Sequence, residues 1–170
     1  MLTLVYAPLV ACFLGAHAGN SVLVRGDSAA VIQWFTTNRD FLIGQAGARV
    51  MRREGSRLVV AKDGFYVELR ETAKRWTIDW YTATGPHYAE VQPQTQATIH
   101  AATYRTQLFA GPRKLRSWTT DITIQPHMNG WTWIRFAVDA SLNGPGEIRL
   151  QGEIDAAVER ITSAVQGAFH

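Results

Sequence analysis

Four histidines lie beyond residue 18: His87, His100, His127 and His170. Their spacing matches no zinc-ligand pattern, and Cys12 is the only cysteine in the chain. The sequence contains no Gly-x-Ser-x-Gly elbow, no phosphate loop and no dinucleotide fingerprint. No metal and no cofactor are expected, and no residue is assigned a catalytic role. The side chains best suited to chemistry are His100 and Tyr104, which alternate in register with Thr98 and Ala102. Facing an apolar cavity, this imidazole and phenol could polarise a carbonyl or move a proton near neutral pH. Facing outward, they are ordinary surface residues. Arg135 lies between Trp133 and Ala137, with Trp131 and Asp139 in the same register. It reads either as a cation anchoring a ligand, paired with Asp121 or Asp139, or as an outer-face residue stacked on Trp133.

These residues need strands to position them. Ser21–Arg25 reads as a first strand, and Asp27 or Ser28 as the cap of a helix over Ala29–Thr36. A short second helix is expected from Asp40 to Gln45. From Ala48 the period changes to two. Asp63-Gly64 marks a hairpin after Arg57–Lys62. Two alternating runs follow, one carrying Phe65, Val67 and Leu69, the other Trp76, Ile78 and Trp80. Further strands are expected over Ala97–Leu108, Ser117–Gln125 and Trp131–Ala140. The alternation predicts an antiparallel sheet with one face in a core. Its inward set is expected to be Trp76, Ile78, Trp80, Trp118, Ile122, Ile124, Ile134, Phe136 and Val138. After the break at Asn143–Gly146, one helix runs from Glu147 to about Ala168, with Ile148, Ile154, Ala157, Val158, Ile161, Ala164 and Val165 on a common face.

With 170 residues, 46% hydrophobic and 18% charged, the chain has the composition of one packed domain. Residues 1–18 carry no Lys, Arg, Asp or Glu and end in Ala16-His17-Ala18, the pattern of a cleaved signal peptide. This divides the chain into a leader, 1–18, and a domain, 19–170, that is secreted or periplasmic. The alternative is lipidation at Cys12, within Leu9-Val10-Ala11-Cys12. The formal charge of +3 comes from 14 Arg and 3 Lys against 14 acidic residues. Its clusters, Arg49–Arg57 and Arg113–Arg116, are short. They read as solvated surface, or as weak contact with a membrane surface, and nucleic acid is not an expected partner.

The order of strand, one or two short helices, about six to seven antiparallel strands and a long C-terminal helix resembles the START-like superfamily (SRPBCC, or polyketide cyclase-like proteins). The resemblance is carried by Val22-Leu-Val-Arg-Gly-Asp27 with the Val31–Phe35 helix, by the Trp131–Asp139 strand and by the Glu147–Val165 helix. It implies an α+β helix-grip fold, with a curved sheet wrapped around the terminal helix. It also implies a small hydrophobic, lipid- or polyketide-like ligand held between them without covalent chemistry. The ligand-binding residues would be Trp80, His100, Tyr104, Trp118, Phe136, Ile154 and Val158. A cyclase or dehydratase using His100, Tyr104 and Arg135 is one alternative, and a non-catalytic module with a filled core is another.

Overall fold

The two-residue alternation resolves into a single curved sheet. The computed structural model describes residues 15–83, 94–127 and 130–170, and the backbone alone of 77–83, 94–99 and 147. The elements are β1 (Ala16–Arg25), α1 (Ser28–Thr37), α2 (Arg39–Gln45), β2 (Arg49–Glu54), β3 (Arg57–Lys62), β4 (Phe65–Ala83), β5 (Gln94–Ala110), β6 (Leu115–His127), β7 (Trp131–Leu142) and α3 (Glu147–Ala168). The strand order is β1-β7-β6-β5-β4-β3-β2, with every neighbouring pair antiparallel. This is the expected α+β helix-grip architecture.

Local chemistry sets the element ends. The Asp27 carboxylate accepts from the Ala29 N–H at 2.7 Å and caps α1. At the β3–β4 hairpin both turn residues, Asp63 and Gly64, have positive φ. That is the backbone of a type I′ turn, whose twist matches that of the strands it joins. On β7, Thr132, Ile134, Phe136, Val138 and Ala140 are buried, while Trp131, Arg135 and Asp139 are exposed. Across the ladder, Ile134 faces Ile124 and Val22, and Phe136 faces Ile122. The concave face continues through Tyr104 on β5, Leu69 on β4 and Leu58 and Val60 on β3.

Helix α3 buries Ile154, Ala157, Val158, Thr162 and Val165. These positions recur at three and four residues, so they form one stripe. Ile148 does not share it and is 92% exposed. At 100° per residue it lies well away from the Ile154–Val165 line.

The two alternating runs after Asp63-Gly64 are one strand. β4 is continuous, so face assignment carries through from Leu69 to Arg75 without a break in parity. Leu69, Glu71, Ala73 and Arg75 therefore take the concave side, opposite Leu108, Thr106, Tyr104 and Ala102. Trp76, expected inside, lies on the convex side opposite Ala101 and is 37% exposed.

The first strand is longer than its apolar pattern indicated. It begins at Ala16, within the expected leader. Ala16 and Ala18 are buried, opposite Ala140 and Val138. The His17 backbone bonds the Gln151 side chain of α3 twice: its N–H donates to Oε1 at 2.9 Å, and its carbonyl accepts from Nε2 at 2.6 Å. A chain starting at Gly19 loses two buried methyl groups and these bonds. The expected cost is on the order of 2 kcal/mol, or about 5 °C in Tm relative to a chain starting at Gly15. Thermal unfolding of the two chains followed by circular dichroism measures it.

Candidate ligand-binding site

Helix α3 is held on both flanks and leaves the middle of the sheet less covered. On one flank it packs on β1 and β7. Gln151 bonds His17 there, and Asn20 Nδ2 donates to Thr162 Oγ1 at 3.4 Å. On the other flank Arg160 Nε donates to the Gln45 carbonyl at 2.7 Å, and Lys62 Nζ lies 3.9 Å from Glu153. Between these supports run the inward positions of β5 and β6. Trp118 and Ile122 on β6 and Leu150 and Ile161 on α3 pack against the main core, yet they are only half-buried. Leu108 on β5, beside Trp118 in the smaller cluster around Leu58, Val60 and Leu69, is also half-buried. These inward apolar side chains keep accessible surface that a filled core would have buried, and the partly uncovered strip they form is the candidate trough.

The structure distributes the sequence-derived candidates over this trough and its surroundings. Phe136, Ile154 and Val158 are buried together with Tyr104 in the main core. Trp118 bridges the two apolar clusters, and its indole N–H donates to Thr120 Oγ1 at 3.0 Å. His100 is half-buried and lines a different space, a cleft between α1 and the β4–β5 hairpin. The Trp80 backbone pairs with Ala97, and its side chain falls outside the described residues. Arg135 stands exposed on the convex face opposite Ser21 and Thr123. Neither expected partner reaches it. Asp121 accepts two bonds from Arg105, at 2.6 and 2.9 Å, and Asp139 lies 2.7 Å from His17 Nδ1.

Several polar residues at the concave face were not singled out from the sequence. Glu71 is only 13% exposed at its side chain, where Arg53 of β2 donates to it and Arg39 of α2 stands at 3.6 Å. Arg53 also donates to Asp40 at 2.7 Å. A carboxylate this enclosed requires such partners. The second group centres on Thr36 of α1. Its hydroxyl donates to the Ile32 carbonyl at 2.8 Å and receives Arg75 Nη2 at 2.5 Å. Having given its single proton to Ile32, it accepts from the Tyr104 hydroxyl at 3.2 Å. One signal for Glu71 and Arg75 was available in the sequence: both continue the Leu69 alternation once β4 is read as unbroken.

The convex face carries its own ion pairs. The hydrogen bond from Arg57 holds the Glu68 carboxyl below its usual range, and the bond to Asp121 raises the Arg105 guanidinium. Arg57 and Arg70 also lie over the Phe109 ring, at 5.8 and 4.9 Å from its centroid. These contacts lie across the sheet from the trough.

Replacing Thr36 by Val should strand the Tyr104 hydroxyl and cost about 1 kcal/mol. Adding Tyr104→Phe should recover part of that cost. A double-mutant cycle from chemical denaturation measures the coupling.

No family model matches the chain, and no curated protein matches it. Solved structures similar to it include the protein XoxI from Bacillus cereus, at 12% identity and a TM-score of 0.59, covering 91% of this chain and 95% of that one. A START superfamily protein from Mycobacterium smegmatis aligns at 13% identity and a TM-score of 0.56, covering 91% of this chain and 97% of that one. Ara h 8.0201 aligns at 12% identity and a TM-score of 0.52, covering 92% and 98%. At these identities the likeness establishes the fold: the chain has the START-like helix-grip fold.

Proposed function

We propose that the protein binds or carries a small hydrophobic molecule in the trough between β5, β6 and α3. The observation that carries this reading is the half-buried state of Trp118, Ile122, Leu150 and Ile161 on inward faces. A ligand covering them would remove apolar area from water at about 25 cal/mol per Å². The START-like fold supports the reading, since that superfamily holds apolar ligands between its sheet and terminal helix. Phe136, Ile154 and Val158 form the floor and wall behind the ligand, and Trp118 its edge. Binding is non-covalent.

Export belongs to the same proposal, with a constraint from β1. Removal of residues 1–18 would take Ala16 and Ala18 out of the core, so the cleavage compatible with an intact strand lies upstream of Ala16. Amino-terminal sequencing of the mature protein should return a start before Ala16.

Native mass spectrometry of the protein purified from its own host is expected to show an added lipid-like mass. Ile161→Trp, which fills the trough from α3, should remove that mass and weaken binding of a neutral dye such as Nile red at least tenfold. Absence of both the mass and dye binding in the unmodified protein would favour a filled core and end the proposal.

A further inference from the structure

The β4–β5 hairpin runs past the rest of the sheet. Among the described residues β5 pairs with β6 from Ala102 to Gln107, whereas it stays paired with β4 as far as Gln94. Pro126 on β6 lacks the N–H that further pairing would need. Where β5 is free of β6, α1 lies beside it, and the two enclose an open cleft of about 430 Å³. Ile32 and Ala29 of α1 give it an apolar wall, Gln33, Arg75 and His100 give it a polar lining, and it borders the hairpin at Trp76 and Ala101, whose side chains take the convex side. Arg75 opposes Ala102 and Thr77 opposes His100, so Arg75 and His100 are diagonal neighbours across one strand pair. No carboxylate lines the cleft among the described residues.

Among the described residues, Thr36 is the hydrogen-bond partner of the Arg75 guanidinium. The Thr36 hydroxyl accepts one proton of its Nη2. Arginine presents two bidentate forks, Nε with Nη2 and Nη1 with Nη2, and each uses a different Nη2 proton. Whichever proton Thr36 holds, the other fork has no partner among the described residues. Thr36 is fixed by its bonds to Ile32 and Tyr104, so the open fork is held at the cleft by rigid neighbours. A planar anion with two oxygens fits such a fork, and Ile32 and Ala29 suit an apolar body beside it.

We propose that this cleft binds small organic carboxylates with an apolar tail, with Arg75 as the carboxylate-binding residue. The site is separate from the trough under α3 and does not depend on it.

Calorimetric titration with octanoate and, in parallel, octan-1-ol tests it on the full chain. Octanoate is expected to bind, and Arg75→Gln to weaken it at least tenfold while leaving any octanol binding unchanged. Arg75→Lys, which keeps the charge and loses the fork, should fall between. Because Arg75 is exposed, the far-ultraviolet circular dichroism of these variants should match that of the parent protein. Ile161→Trp should leave octanoate binding intact while weakening Nile red binding at least tenfold, so the two sites can fail independently. The proposal is overturned if octanoate does not bind, if Arg75→Gln binds it as tightly as the parent, or if Ile161→Trp abolishes its binding.

Discussion

The position of α3 is the constraint on which the interior depends. A helix resting wholly on the sheet would bury the inward face of β5 and β6. Here α3 is drawn toward β1 by Gln151 and Thr162 and toward the α2–β3 side by Arg160 and Glu153. Each tether is modest. Surface ion pairs contribute about 0–1 kcal/mol, and single hydrogen bonds roughly 1 kcal/mol. More of the stabilisation comes from burial of the Ile154–Val165 stripe, which sets α3 against β1 and β7. The tethers decide where that stripe sits along and across the sheet, and so how much of Trp118 and Ile122 stays accessible.

The alternation that gave the fold its outline also set the limit of what could be read from it. On β7 the pattern was sufficient, because Ile134, Phe136 and Val138 lie on one strand with unbroken parity. The α1 cap at Asp27 and the Asp63-Gly64 turn were equally legible, since both depend on neighbours in sequence. The face of Trp76 was not, because a period of two tells which residues share a side only within one continuous strand. Treating Phe65–Arg70 and Arg75–Tyr81 as two runs allowed each its own inward set. Their fusion into β4 placed Glu71 and Arg75 on the concave side and turned Trp76 outward. A strand of this length carries polar residues inside where polar partners meet them, as Arg53 and Arg39 meet Glu71.

Ala16 and Ala18 show another ambiguity. Small residues at alternate positions are what a signal peptidase recognises, and they are also what a strand places beneath a closely packed helix. The sequence offers the same letters for both. The structure places both methyls against α3 and β7, so removing them has a mechanical consequence as well as a targeting one. Cys12 and the residues before Gly15 lie outside the described part of the chain.

Thr36 is the point at which the core and the α1 cleft meet. Its hydroxyl receives Tyr104 from the core side and Arg75 from the cleft side, and its own proton is committed to Ile32. An oxygen with both acceptor directions filled cannot also bind a ligand, so neither site can recruit it directly. It acts instead as a fixed strut. The strut constrains the Tyr104 ring in the core and the Arg75 guanidinium at the cleft without moving between them. A saturated hydroxyl held in one arrangement is not a switching element, because coupling requires a group with two alternative arrangements. The physical expectation is therefore two independent sites on one scaffold: an apolar one shaped by α3, and a polar-ended one shaped by the divergence of β5 from β6.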